Sequence, residues 1–427
     1  MKINYSSTTI LQQFSDAIPK GTFMSRLLST IAILVALASI SAQAQPAAES
    51  NTEVSPVETS PEIQLPEFDP TAKPEETLEK VKSLWQTRID VASPQEANLL
   101  KVKILGHIVK GSEIILKDTN VDAELALEAI QNKMEALGIL AQAGDPNAMP
   151  SAIEMAKTIS EDPRPLVARE GKLILLSSRL NELQKLDTAG RTAFVKELMD
   201  LLNSADLSAR EVQIASITAD LLEQFGDTGA SKTIYKNLAE QAKKSDSPEM
   251  RSRASEFEGV ARRLELPGNE IKIAGKNLAG ADYDIKNHRG KVVLIQYWAS
   301  WCGYCLEEMP HIKQMYNTYH ADGFEVVGVN LDDSADRAIA IIDDMKLPWQ
   351  NLFSRDAEQL GMENPNATRY GINSIPQCIL VDRDGKVVTL NARGDELTRE
   401  LEKLLLESVT AEGQPTKETP AQDAKPQ

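Results

Sequence analysis

The sequence predicts a chain of two folded parts: an all-α helical region, either a bundle or helical repeats, followed by an α/β domain. Three observations predict it. At 427 residues the chain is too long for one ordinary core. From about 75 to 265, apolar positions recur three and four apart in runs of helical length. From about 266 the texture changes to glycine turns and β-branched runs that alternate with helical stretches.

The N-terminus reads as an export signal over residues 1–44. Lys20 and Arg26 precede an apolar run from Leu27 to Ile40, and Ala42-Gln43-Ala44 supplies small residues for cleavage after Ala44. The run is shorter than the roughly 20 residues of a spanning helix. Membrane association is therefore expected only if the segment stays uncleaved. No cysteine follows it to carry a lipid, and Met24-Ser25-Arg26 offers an alternative start. Residues 45–74 hold six prolines among Glu, Ser and Thr and read as a linker.

The helical region, 75–265, shows stripes such as Leu78, Val81 and Leu84-Trp85, and Ala126, Ile130, Met134, Leu137 and Leu140. Breaks are expected near Gly144-Asp145-Pro146, Asp162-Pro163, Asp187, Ser204-Ala205-Asp206, Gly226-Asp227 and Asp246-Ser247-Pro248. Two of them share the frame L-x-Q-x-G-D, at 140–145 and 222–227. A tetratricopeptide or HEAT-type repeat and an irregular bundle both accommodate that pattern.

In the α/β domain, 266–410, strands are expected at Glu270–Ile273, Val292–Trp298, Phe324–Asn330, Cys378–Val381 and Lys386–Leu390, with helices at Glu307–Tyr319, Ser334–Met345 and Glu396–Leu405. Residues 411–427 are polar and proline-containing and read as a disordered tail.

A formal net charge of −17, with basic residues interspersed among acids, gives no footprint for a phosphate backbone, so nucleic acid is not an expected partner. Three cysteines, Cys302, Cys305 and Cys378, are too few to staple a chain of this size and are better explained by chemistry. Trp301-Cys302-Gly303-Tyr304-Cys305 follows the apolar strand 292–298 directly and opens a helix. Two cysteines three apart on a first helical turn can close a disulfide, and the unpaired N–H groups of the helix N-terminus favour a thiolate. Cys302, nearest the strand, is the expected nucleophile, and Cys305, one turn in, resolves the mixed disulfide. Zinc uses the same spacing, but no second C-x-x-C exists, and a site would need Cys378 and a histidine such as His311 from distant elements. No metal or cofactor is expected.

Residues 266–410 resemble the thioredoxin superfamily, in its extracytoplasmic TlpA/ResA-like branch. The resemblance rests on Trp298-Ala299-Ser300-Trp301-Cys302-Gly303-Tyr304-Cys305, on Glu308-Met309-Pro310, on Ser374-Ile375-Pro376 and on Gly290-Lys291-Val292-Val293-Leu294. It implies a thioredoxin fold, thiol-disulfide oxidoreductase activity, and a cis Ile375-Pro376 peptide whose Ile375 backbone pairs with an extended substrate beside Cys302. Glu308, one turn beyond Cys305, is the candidate proton carrier. Trp301 is the candidate apolar contact for substrate. Two departures from relatives stand out: Gln296 occupies the position of an aspartate in thioredoxin, and Tyr304 that of a proline common between the cysteines. Cys378 reads as a buried small residue, His311 and His320 as ordinary helix residues, and Asn366-Ala367-Thr368 as a glycosylation acceptor left bare.

The functional expectation is an exported thiol-disulfide oxidoreductase. Its partners are protein thiol and disulfide substrates and an upstream redox donor, with the helical region binding partners. The alternative is a protein-binding helical scaffold with an accessory redox-sensing domain. A peroxidase of peroxiredoxin type is disfavoured, because a T-x-x-C setting is absent and a C-x-x-C pair is present.

Overall fold

The computed structural model describes residues 65–412, apart from positions 90 and 92. The expected signal, most of the linker and the tail from 413 lie outside the described residues. Among the described residues no helix is long and apolar enough to cross a membrane. The chain divides into two compact units, at Leu221/Leu222.

The first unit is helical: α1 (Pro74–Trp85), α2 (Pro94–Lys117), α3 (Ala123–Gln142), α4 (Ala148–Ser160), α5 (Pro165–Arg179), α6 (Thr188–Leu202) and most of α7 (Ala209–Gln224). The predicted stripes are buried: Val81, Ala126 and Ile130 are fully enclosed, with Leu78, Leu84, Met134, Leu137 and Leu140 nearly so. Helix starts follow local chemistry. Ser93, before Pro94, accepts from Glu96 N, and Asp122 accepts from Glu124 N and Leu125 N. Between α5 and α7 two Arg-Glu dipeptides pair reciprocally, Arg169 with Glu211 and Arg210 with Glu170.

The L-x-Q-x-G-D frame has a local explanation. Gly144 and Gly226 take positive φ, and Asp145 N and Asp227 N donate back to Leu140 O and Leu222 O. Both are glycine helix stops of one type, so the shared letters encode a cap.

The second unit begins with the end of α7. It continues through α8 (Thr228–Lys244), α9 (Pro248–Ser252) and α10 (Ala254–Leu264), then the α/β domain. A hairpin, β1 (Ala274–Lys276) with β2 (Asp282–Asp284), precedes a five-stranded sheet of order β5-β4-β3-β6-β7. Its strands are β3 (Val292–Trp298), β4 (Phe324–Asn330), β5 (Gln350–Leu352), β6 (Gln377–Val381) and β7 (Val387–Thr389). β3 runs parallel to β4 and antiparallel to β6. Helices α11 (Gly303–Tyr319), α12 (Ala335–Met345), the short α13 (Pro365–Thr368) and α14 (Gly394–Glu412) complete it. β3 is buried at every position, as its continuous apolar run requires.

One strand expectation shifts, and two strands, β2 and β5, lie where none was expected. Residues 270–273 do not form a ladder: Glu270 makes one isolated bridge to Lys386, and Lys272 N donates to the Tyr370 hydroxyl, so regular pairing begins at Ala274. Strand β5 was not anticipated, because its Gln-Asn-Leu sequence carries no strand signal and its pairing comes from β4.

Candidate redox site

The site forms where β3 ends and α11 begins. Trp298 is fully buried, and its indole N–H donates to Asn351 Oδ1 at 2.8 Å, which fixes the last strand residue. The chain then turns: Cys302 N donates to Ala299 O, and Leu331 N from the end of β4 donates to Trp298 O. Ser300, at the apex, is held by Asp332. Its backbone N–H donates to both carboxylate oxygens at 3.1 and 3.0 Å, and its hydroxyl donates to Oδ1 at 2.7 Å. Asn330 Nδ2 donates to Oδ2 at 2.7 Å, so Asp332, though only 1% exposed, is supplied with donors on both oxygens.

Cys302 is the N-cap of α11. Its Sγ accepts from Cys305 N at 3.2 Å, and it is joined to Cys305 by a disulfide with Cα atoms 5.2 Å apart. Both cysteines are buried, Cys302 with 6% exposure and Cys305 with none. Trp301 and Tyr304 stand out on either side, 58% and 46% exposed. The helix N-terminus thus aims a backbone N–H at the Cys302 sulfur, the geometry that stabilises a thiolate there.

The Ile375-Pro376 peptide is cis. The β3/β6 ladder ends at Tyr297↔Gln377, so Pro376 sits one residue beyond it, at the end of the sheet where β3 delivers the redox turn. Ile375 and Pro376 are half-buried.

Glu308 is anchored by the residues that open α14. Its carboxylate accepts from Arg393 Nε at 2.7 Å and from Gly394 N at 3.1 Å, tying α11 to the start of α14. Burial pushes the Cys378 thiol far up, Glu308 adds to the rise, and Arg393 opposes it. Cys378 is buried and unpaired with any other cysteine. Gln296, its ladder partner, is fully buried with neither amide atom hydrogen-bonded to protein.

His311 Nε2 lies 3.1 Å from Thr398 Oγ1 on α14, and His320 Nδ1, in the turn that follows α11, lies 3.1 Å from Phe324 O at the start of β4. Asn366 is 8% exposed and exchanges hydrogen bonds with Ala274 N and O, so its amide nitrogen is engaged. Sequence reasoning missed Asp332, Arg393 and Arg263, whose Nη1 donates to Gln377 Oε1 at 3.1 Å. For Asp332 the only available signal was an acid at the C-terminal end of a strand adjoining the redox strand.

Fold and site together define a thioredoxin-like thiol-disulfide oxidoreductase domain. Residues 266–405 match the family described as Redoxin. The chain is 28% identical over 144 residues to the thiol:disulfide interchange protein HelX of Rhodobacter capsulatus, covering 33% of this chain and 75% of that protein. It is 29% identical over 133 residues to the thiol-disulfide oxidoreductase ResA of Geobacillus thermodenitrificans, covering 31% and 71%. A solved thioredoxin domain of a thiol-disulfide oxidoreductase from Bacteroides vulgatus matches at 28% identity and a TM-score of 0.30, covering 33% of this chain and 97% of that one. The Redoxin match and the likeness to HelX and ResA support a TlpA/ResA-like member of the thioredoxin superfamily over this C-terminal domain.

Proposed function

We propose that the protein is exported and exchanges disulfides with polypeptide thiols outside the cytoplasm, with its helical region recruiting the partner. One observation carries the chemistry: the N-cap sulfur of Cys302 accepts a backbone N–H at the start of α11, and Cys302 keeps 6% exposure where Cys305, one turn on, keeps none.

In the reducing direction the Cys302 thiolate attacks one sulfur of a substrate disulfide. The other substrate sulfur leaves as thiolate and takes a proton. The Cys305 thiolate then attacks Cys302 Sγ in the mixed disulfide, releasing the second substrate thiolate and forming the Cys302–Cys305 disulfide. Two electrons pass to the substrate, and an upstream dithiol donor restores the pair. The oxidising direction is the reverse. Ile375 and Pro376 present the substrate backbone, Trp301 contacts its side chains, and the Glu308 carboxylate accepts or delivers the proton that exchange requires.

Export is supported by the charged-then-apolar N-terminus and the Ala42-Gln43-Ala44 site. Partner recruitment is supported by the large helical region outside the Redoxin match.

In a reductant-coupled assay on the purified protein, Cys302→Ser is expected to abolish turnover, while Cys305→Ser accumulates mixed disulfides through Cys302. Activity retained by Cys302→Ser removes the proposal. A reduction potential near −270 mV marks a reductant and one near −120 mV an oxidant, on the scale of about those values for known members.

A further inference from the structure

Helix α10 lies before the Redoxin match at 266–405, yet it grips both ends of the segment that carries the cis-proline loop. At one end, Gly259 faces the backbone of Thr368 and Gly371 so closely that a Cβ would meet Gly371 N at 2.6 Å, and Arg262 Nη1 donates to Arg369 O at 2.6 Å. At the other, Arg263 Nη1 donates to Gln377 Oε1 at 3.1 Å. Gln377 adjoins Pro376, and its Nε2 donates to Leu390 O, so both ends of its amide are held.

The Arg263 side chain is 12% exposed. Its nearest counter-charge, Glu223 Oε2, stands 3.8 Å away, and its buried Nε has no hydrogen-bond partner. A guanidinium so enclosed and so loosely paired is costly beside an apolar chain of similar volume. What an apolar chain cannot supply is the bond to Gln377.

We propose that Arg263 is a positioning residue for substrate: from α10 it fixes Gln377, and through it the register in which the Ile375 backbone meets an extended polypeptide beside Cys302. The inference rests on the oxidoreductase reading above and adds its specificity. A polypeptide disulfide must pair with the loop and needs the clamp. A small disulfide reaches Cys302 without pairing and does not.

The test uses the full chain with two probes, insulin as the polypeptide disulfide and glutathione disulfide as the small one. Arg263→Met is expected to raise KM for insulin by roughly tenfold with kcat unchanged, the scale of one charged hydrogen bond. Rates with glutathione disulfide stay at the wild-type level, and Arg263→Lys, which retains a donor, recovers most of the insulin KM. If Arg263→Met does not fold, the same split is read on Gln377→Asn, which leaves the guanidinium and shortens its acceptor. Equal losses on both probes, or an unchanged insulin KM, overturn the inference. A wild-type protein that turns over neither probe refutes the oxidoreductase reading itself, and the clamp with it.

Discussion

Gly259→Ala tests whether α10 is structurally part of the redox domain. The added Cβ would stand 2.6 Å from Gly371 N, 2.8 Å from Thr368 O and 3.0 Å from Gly371 Cα, all backbone atoms. None can rotate aside. Gly371 itself has φ +57°, and a Cβ there would strike Val260 N at 2.4 Å, so the approach is tight from both sides. Ordinary contact begins near 3.4 Å, so the helix must retreat by about 0.8 Å. A rigid retreat of that size also takes Arg263 Nη1 beyond hydrogen-bond range of Gln377, since that bond is already 3.1 Å. Overpacking costs about 1–3 kcal/mol and the weakened Arg263–Gln377 bond about 1 kcal/mol, so a loss of ~2–4 kcal/mol is expected. Urea-dependent hydrogen exchange, read on peptides from β3 and β6, reports the stability of the redox sheet itself. Gly229→Ala is the control in the same unit. Its Cβ meets nothing nearer than 3.9 Å in the first turn of α8, and the change is expected to be neutral or stabilising by up to about 1 kcal/mol. If Gly259→Ala leaves β3 and β6 within about 0.5 kcal/mol of wild type, the argument that α10 is seated on the loop backbone fails.

Three further outcomes follow from the site and its surroundings. Asp332→Ala removes the acceptor of Ser300 N and Oγ and of Asn330 Nδ2, and is expected to cost about 2–3 kcal/mol and shift the Cys302–Cys305 potential. Asp332→Asn, which keeps an acceptor, should recover most of both, and equal behaviour of the two variants would contradict the role of Asp332 as the acceptor that holds Ser300. After reduction, iodoacetamide is expected to label Cys302 first and to spare Cys378 until the chain is unfolded, as peptide mass spectrometry would show; burial raises the Cys378 thiol's proton affinity and blocks access. His288 is held below its ordinary value of 6.5 mainly by burial, with Lys291 assisting and Glu325 opposing. The unfolded chain therefore binds more protons in the window just below about 6.5, so this stability is full above that pH and is lost as pH falls through the lowered folded value. Urea midpoints for His288→Gln between about pH 7.5 and 5 should fall less steeply than those of wild type.

What the sequence made legible was local. The cysteines, the preceding strand and the helix start lie within fifteen residues of one another, and exchange chemistry demands that spacing, so composition and order alone located the pair. The helix stops at Gly144 and Gly226 were equally visible, because glycine and the following aspartate are the cap. Illegible were the contacts that close over distance: Arg263 with Gln377, Ser300 with Asp332, Glu308 with Arg393. In each, a surface-type residue is recruited by an element far along the chain, and nothing near it in sequence marks it as buried. The strand β5 was hidden for the same reason, since its three residues become a strand only against β4. Its Asn351 nonetheless anchors Trp298.

These long-range contacts bear on how the pair is tuned. A carboxylate without its own donors near Cys302 would oppose the thiolate that the helix N-terminus favours. Asp332, bonded directly to the redox turn, spreads its charge over Ser300 N, Ser300 Oγ and Asn330 Nδ2. Glu308 spends its charge on Arg393 and Gly394 N. At the position behind the pair, where thioredoxin has an aspartate, Gln296 is neutral. Each acid that shapes the turn is therefore matched by donors, and the helix end on which Cys302 sits aims a backbone N–H at its sulfur. Removing the donors should then matter more than removing the acids. Arg393→Met, which leaves Glu308 with only the Gly394 N–H, is expected to raise the pH at which Cys302 becomes reactive, whereas Glu308→Gln leaves it lower or unchanged. The rate of iodoacetamide alkylation of Cys302 against pH measures both, and a shift in the opposite order would show that the acids act on the thiol directly in spite of their partners.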